Sequence, residues 1–319
     1  MTGLGHNLPM PTSTPDTART ASVTFHDILS DDGTHVRVWT NDPDGVIDGP
    51  TVVLCNGLGT NAYMWPALLD PDCGVRVISW NHRGTGGSER PRDKSHVEIE
   101  HFVEDGLSVM DHFGVDRAVL MGWSMGVNTM FELAARNPER VAGLFAVCGV
   151  PGDTFRTMLA PFRLPHPVAR AITIGACHVG KLTGWAITPI TSRLPIGPRT
   201  IAFISHTGFM FPVADPELAA VGIKEFIKTP VQWYAHIALG TSKHARVSLS
   251  GIHVPSRFVA ATYDILAGAR DMWTAAERLS DAEYIELRGS HFIQLEQPER
   301  VHQLLLEFLD KVGVTATDG

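Results

Sequence analysis

The rhythm of apolar and polar positions changes several times along the chain. Val36–Trp39 alternates as a half-buried strand does, and Ser22–Leu29 is its expected hairpin partner across a turn at Asp31, Asp32 and Gly33. Then the runs become continuous: Thr51–Cys55 ends at Asn56 and Gly57, Val75–Ser79 ends at the Asn81–Gly84 loop, Ala118–Met121 ends at Gly122, and Val141–Val147 ends at Gly149. Strands apolar at nearly every position are buried on both faces, which is the condition of a parallel sheet. Between them Ala62–Leu69, Ile99–Phe113 and Met125–Arg136 repeat with helical spacing. Strands alternating with helices predict an α/β fold with a mostly parallel central sheet and helices on both faces. Such sheets place their chemistry at the C-terminal ends of the strands, where the glycine-rich and polar segments of this chain fall.

The alternation stops between Pro151 and Gly251, a stretch with many prolines and short helical pieces. It resumes with a strand at Val254–Ala261, a helix at Arg270–Leu279, a strand at Ala282–Leu287 and a helix at Pro298–Val312. Residues 22–150 and 251–319 therefore read as one core, 151–250 as a helical cap inserted into it, and 1–21, with three prolines among Ser and Thr, as a flexible tail. Charge follows the same division. The insert holds ten Lys and Arg against four Asp and Glu, a net of +6, while the whole chain stands at −8. A basic insert on an acidic body fits complementary docking of the two, or attraction of an anionic substrate or lipid headgroup. The acidic total excludes a global footprint for nucleic acid, and no apolar run reaches the roughly 18 residues of a membrane span. Cys55, Cys73, Cys148 and Cys177 show no CxxC spacing. They read as reduced thiols of a cytoplasmic protein.

The central chemical signal is Gly122-Trp123-Ser124-Met125-Gly126, which follows a buried strand and opens a helix. A tight strand-to-helix turn lifts the serine hydroxyl clear of the sheet and tolerates only small residues at its flanks. A hydroxyl needs a base. His291 is the one histidine between the last strand and the last helix, whereas His82, His101, His112, His166, His206, His236 and His244 are expected in ordinary surface or loop roles. The base in turn needs an acid to hold its tautomer. Asp264, at the tip of the strand before His291, is the first candidate and Asp153 the rival, with Asp271 expected to cap the following helix. The oxyanion needs backbone donors: Met125 at the helix N-terminus offers one, and Leu58, between Gly57 and Gly59, is expected to offer the second.

These motifs, in this order, resemble the α/β-hydrolase family over roughly Thr51–Val150 and Val254–Val312. The resemblance implies Ser124, His291 and Asp264 as a catalytic triad, Leu58 and Met125 as the oxyanion hole, and no cofactor or metal. Two departures stand out: Asn56 where the family usually has histidine, and Ser290 where it has glycine. Some members take their acid from the position of Asp153. The family's halide- and epoxide-processing members use an aspartate nucleophile, and a serine at 124 argues against both. Arg83 is expected to brace its own loop.

The cap should roof a pocket. Trp65, Trp123, Trp185, Phe209, Phe211 and Trp233 could line it, with Trp65 and Trp123 as the substrate-binding candidates and packing of cap on core as the alternative for each. The expected function is a cofactor-free serine hydrolase of the esterase, lipase or lactonase type, acting on a small-molecule carboxylic ester or lactone. The alternatives are an acyltransferase with the same triad, a perhydrolase- or dioxygenase-like member, and a non-catalytic binding protein. The oligomeric state stays open, a homo-oligomer included.

Overall fold

The computed structural model describes residues 23–314, so the tail expected over 1–21 lies outside the described residues. Eight strands form one sheet: β1 (Thr24–Leu29), β2 (His35–Thr40), β3 (Thr51–Cys55), β4 (Arg76–Trp80), β5 (Ala118–Trp123), β6 (Val141–Val147), β7 (Ser256–Ala261) and β8 (Ala282–Leu287). Their order is β1-β2-β4-β3-β5-β6-β7-β8. The β1–β2 hairpin pairs Thr24 with Thr40 and Leu29 with His35, and β2 joins β4 antiparallel. All other pairings are parallel.

The continuous apolar runs are the central strands. Every residue of β3, β5, β6 and β7 is buried, whereas the edge strands β1 and β8 are partly exposed. Alternate positions feed two cores. Val52, Leu54, Met121 and Phe145 meet Leu304, Leu305 and Phe308 on one face, while Val53, Leu120, Leu144 and Phe258 meet Val103, Met110, Phe131 and Met272 on the other.

The helices in chain order are α1 (Ile99–His112), α2 (Met125–Arg136), α3 (Thr154–Thr157), α4 (His166–Thr191), α5 (Pro198–Ile204), α6 (Pro216–Ile227), α7 (Val231–Thr241), α8 (Ala269–Ala276), α9 (Ile293–Glu296) and α10 (Pro298–Val312). The helix expected over Ala62–Leu69 is two short 3₁₀ turns, Ala62–Met64 and Pro66–Leu69. Pro66 has no N–H to give and forces Trp65 out of helical geometry, to φ −130° and ψ 68°. Proline at 255 likewise delays β7 to Ser256.

Helices α3–α7 form a helical region inserted between β6 and β7. The chain leaves and re-enters the core at one place, where the Val247 N–H donates to the Pro151 carbonyl at 3.2 Å. Gly152 makes that approach possible. Its φ is +90°, and a Cβ there would sit 2.2 Å from the Ala245 oxygen. The outer surface of the insertion is unusually apolar, with Leu182, Trp185, Ile190 and Phe203 each at least two-thirds exposed. No helix among the described residues is long and apolar enough to cross a membrane. All four cysteines are free.

Candidate active site

Parallel register brings five strand ends level. Cys55 of β3 faces Gly122 of β5, Trp123 faces Val147 of β6, Val147 faces Val259 of β7, and Ala261 faces Leu287 of β8. The loops leaving those ends carry the chemistry.

Ser124 stands at φ 56° and ψ −121°, between the last residue of β5 and the first of α2. That conformation is strained for a residue with a side chain. The turn closes because Gly126 lies on the end of β3, where a Cβ would meet the Cys55 oxygen at 1.8 Å. The His291 Nε2 lies 2.8 Å from the Ser124 Oγ, and its Nδ1 lies 2.8 and 3.0 Å from the two carboxylate oxygens of Asp264. Asp264 is buried, and its Oδ1 also accepts from the Leu266 and Ala267 N–H groups at 2.7 and 2.8 Å. Those bonds fix the carboxylate, and the carboxylate fixes the imidazole. Asp153 does not reach His291. It adopts a left-handed conformation before α3, and its carboxylate is 3.5 Å from Arg170. Asp271 is not a helix cap either: Gly268 holds that position and Asp271 lies inside the first turn of α8.

The loop after β3 holds one amide in reserve. The Gly57 N–H donates to the Asn56 Oδ1 at 3.0 Å, and the Gly59 N–H to the His82 Nδ1 at 3.4 Å. Between them the Leu58 N–H has no partner among the described residues, and neither does the Met125 N–H at the start of α2. Asn56, which stands where the family usually has histidine, holds the loop: its amide also donates to the Asn61 carbonyl at 3.0 Å, and its Oδ1 accepts from the Trp65 indole at 3.1 Å.

His82, expected in an ordinary surface or loop role, is instead buried against this loop. Burial pushes its pKa down to about 4. The ring is thus neutral near pH 7 and free to accept at Nδ1.

Trp65 and Trp123 are each about 2% exposed. Their rings meet edge to face, and the Trp123 indole donates to the His291 carbonyl at 3.0 Å. Both brace the site from behind and offer no free face to a ligand in this conformation. Trp185 points outward, and the Trp233 indole donates to the Arg83 carbonyl at 2.9 Å. The surroundings of Leu58 and Met125 are filled instead by Phe155, Ile174, Cys177, Tyr234 and Ile237, mostly from α4 and α7.

Two further residues escaped the sequence reading. Glu296 at the end of α9 accepts from both the N–H and the hydroxyl of Ser290, and its carboxylate also receives the Phe211 N–H of the insertion at 2.8 Å. A serine before His291 thus gains a role that glycine could not fill. Cys148, expected only as a reduced thiol, follows β6 with φ +44°, and its Sγ lies within 4.8 Å of the ligand atoms of Asp264 and His291. Burial, with Asp264 acting in the same direction, pushes its thiol well above the ordinary range, so it stays protonated. Its signal in the sequence was position alone: the residue straight after a buried parallel strand.

Arg83 is fully buried. It bonds both oxygens of Asp105 at 3.0 and 3.1 Å and the Ser30 hydroxyl at 3.2 Å, and it pairs with Asp32. It ties the hairpin to α1 and does not reach the serine loop.

Comparison with known proteins places the fold. The family model described as alpha/beta hydrolase fold matches residues 50–298. The chain is 32% identical to "Epoxide hydrolase B" of Mycobacterium tuberculosis, over 89% of this chain and 98% of that protein. It is 33% identical to the "Putative carbamate hydrolase RutD" of Caulobacter vibrioides, over 88% and 96%. Among solved structures, the enol-lactonase from Burkholderia xenovorans LB400 superposes with a TM-score of 0.65 at 23% identity, covering 89% of this chain and all of that one. The matched span takes in β3–β8 and the inserted helices between β6 and β7, and the chain belongs to the alpha/beta hydrolase fold family.

Proposed function

We propose that the chain is a serine hydrolase that cleaves a carboxylic ester or lactone through an acyl-enzyme. The observation that carries this reading is the unbroken line from the Ser124 Oγ to the His291 Nε2 at 2.8 Å and from its Nδ1 to Asp264 at 2.8 Å. The Ser124 oxygen attacks the carbonyl carbon while His291 takes its proton. Asp264 holds the ring and stabilises the imidazolium. The carbonyl oxygen becomes an oxyanion held by the Leu58 and Met125 N–H groups, at the positive end of the α2 dipole. The intermediate collapses as His291 protonates the departing alkoxide, which in a lactone stays tethered to the acyl chain. Water then attacks the acyl-enzyme with His291 as base, and serine is released.

The nucleophile also bears on the epoxide-hydrolase likeness. A carboxylate that opens an epoxide forms an ester, which water can cleave at its carbonyl. A serine that opened an epoxide would form an ether, which has no carbonyl to attack, so the enzyme would not turn over. Ser124 thus favours acyl chemistry.

The test is a panel of nitrophenyl esters of rising acyl length, several lactones and styrene oxide, run with the wild type and Ser124→Ala. The expected result is ester or lactone turnover that vanishes in Ser124→Ala. Turnover of the epoxide alone, or ester cleavage that survives the substitution, overturns the proposal.

A further inference from the structure

A cleft of about 870 Å³ lies where the start and end of the insertion meet α8, and Ser124 is not among the residues that line it. Arg156, Arg163, Arg246 and Arg270 line it together with His166 and a single carboxylate, Asp271. Arg246 lies 3.8 Å from Asp271. The guanidinium groups of Arg156, Arg163 and Arg270 have no carboxylate partner among the described residues. Four arginines around one carboxylate leave an excess of positive charge that repels itself, and the arrangement becomes favourable when an anion enters.

Three segments that are distant in sequence converge here: the stretch that opens the insertion, the stretch that closes it, and the first turn of α8. The first of these is held in strained backbone, with Leu159 and Arg163 both left-handed at φ 63° and 52°. The Leu159 N–H donates to the Ile265 carbonyl at 2.6 Å, which pins this stretch against the loop that follows Asp264. Burial pushes the Asp271 carboxyl above its ordinary value, with the surrounding arginines and His166 opposing it.

We propose that this cleft binds a phosphate group. Guanidinium groups match phosphate oxygens in geometry and charge, and several arginines around one opening suit a dianion better than a lone carboxylate. The surroundings point to what carries the phosphate. Residues 154–214 contain no Asp or Glu and six Arg or Lys. Phe162, Leu164 and Val168 are exposed beside the cleft, and the outward face of α4 continues with Ile172, Val179 and Leu182. An exposed apolar stripe without acidic residues, starting at a cluster of arginines, fits the headgroup and upper chains of an anionic phospholipid. A soluble phosphorylated molecule shares the headgroup chemistry alone.

Two probes separate these sources: inorganic pyrophosphate followed by calorimetry, and flotation with phosphatidylcholine vesicles with or without phosphatidylglycerol. The full chain is compared with Arg156→Gln/Arg163→Gln/Arg270→Gln, with Asp271→Asn, and with the charge-matched control Arg92→Gln/Arg288→Gln/Arg300→Gln. The three cleft arginines are exposed, so the variant should keep the wild-type unfolding transition. The expected result is binding that weakens about tenfold per arginine removed, tightens in Asp271→Asn, and is unchanged in the control. Binding to phosphatidylglycerol vesicles alone, lost in the cleft variant, supports the proposal with a lipid as the source. Binding to pyrophosphate alone with the same loss supports it with a soluble ligand. Binding to neither probe near 0.15 M salt, or equal loss in the cleft variant and the control, overturns it.

Discussion

A proton on His82 would take away the acceptor that the Gly59 N–H uses, and with it one of the two ties that leave the Leu58 amide unoccupied. The unfolded chain takes up that proton as pH falls through about 6.5, whereas the folded protein resists until about 4. Stability from this group is therefore complete above pH 6.5 and drains away as pH falls toward 4. At about 1.4 kcal/mol per unit the full loss is roughly 3 kcal/mol. Urea unfolding at pH 7 and pH 4.5 should show a larger loss in the wild type than in His82→Gln. Equal losses would mean that the buried ring does not govern acid stability.

The acid can be tested at the same scale. Asp264→Asn should lower turnover by about 10³–10⁴, while Asp153→Asn, whose carboxylate faces Arg170, should stay near wild type. Ester kinetics of the two variants decide. Ser124, Asp264 and His291, which the structure brings together, stand out in the sequence because each follows a strand-like segment at the end of the sheet where the loops carry polar residues. His82, Glu296 and Cys148 do not. Their partners at Gly59, Phe211 and Asp264 lie far away in sequence and become neighbours only through the sheet.

Among the elements, the strands were the most legible, because burial on both faces leaves an unbroken apolar run that little else imitates. The short pieces were harder. The stretch over Ala62–Leu69 has helical spacing, yet Pro66 divides it, and the proline's missing donor outweighs the pattern. The inserted helices carry no period that reveals how they pack, since much of their apolar surface faces outward. Between elements, Arg83 is a buried polar tie that joins the β1–β2 hairpin to α1 through Ser30, Asp32 and Asp105. Arg83→Leu leaves the Asp105 carboxylate buried and unpaired and should cost about 3–5 kcal/mol. Arg83→Leu/Asp105→Leu should recover much of that. Urea unfolding of the pair of variants measures it, and additive losses would show that the two side chains act independently.

For the whole molecule, the acid-free stretch 154–214 concentrates positive charge in one segment of an otherwise acidic chain. That asymmetry was visible in composition, but its gathering into one cleft needed the fold, because Arg156, Arg246 and Arg270 come from both sides of the insertion and from the core beyond it. The hydrogen bond from Val247 to Pro151 has a different consequence. A segment whose two ends touch can be exchanged without stretching the body that holds it, much as one bit replaces another in a fixed chuck. Splicing a relative's insertion between Gly152 and Ala245 should leave the sheet folded and Ser124 reactive, while the preference across the ester panel follows the donor. A chimera that folds but keeps the original preference would locate selectivity in the body. If the preference does travel, this family member can change its substrate through exchange of a single contiguous segment, with the reactive groups left untouched.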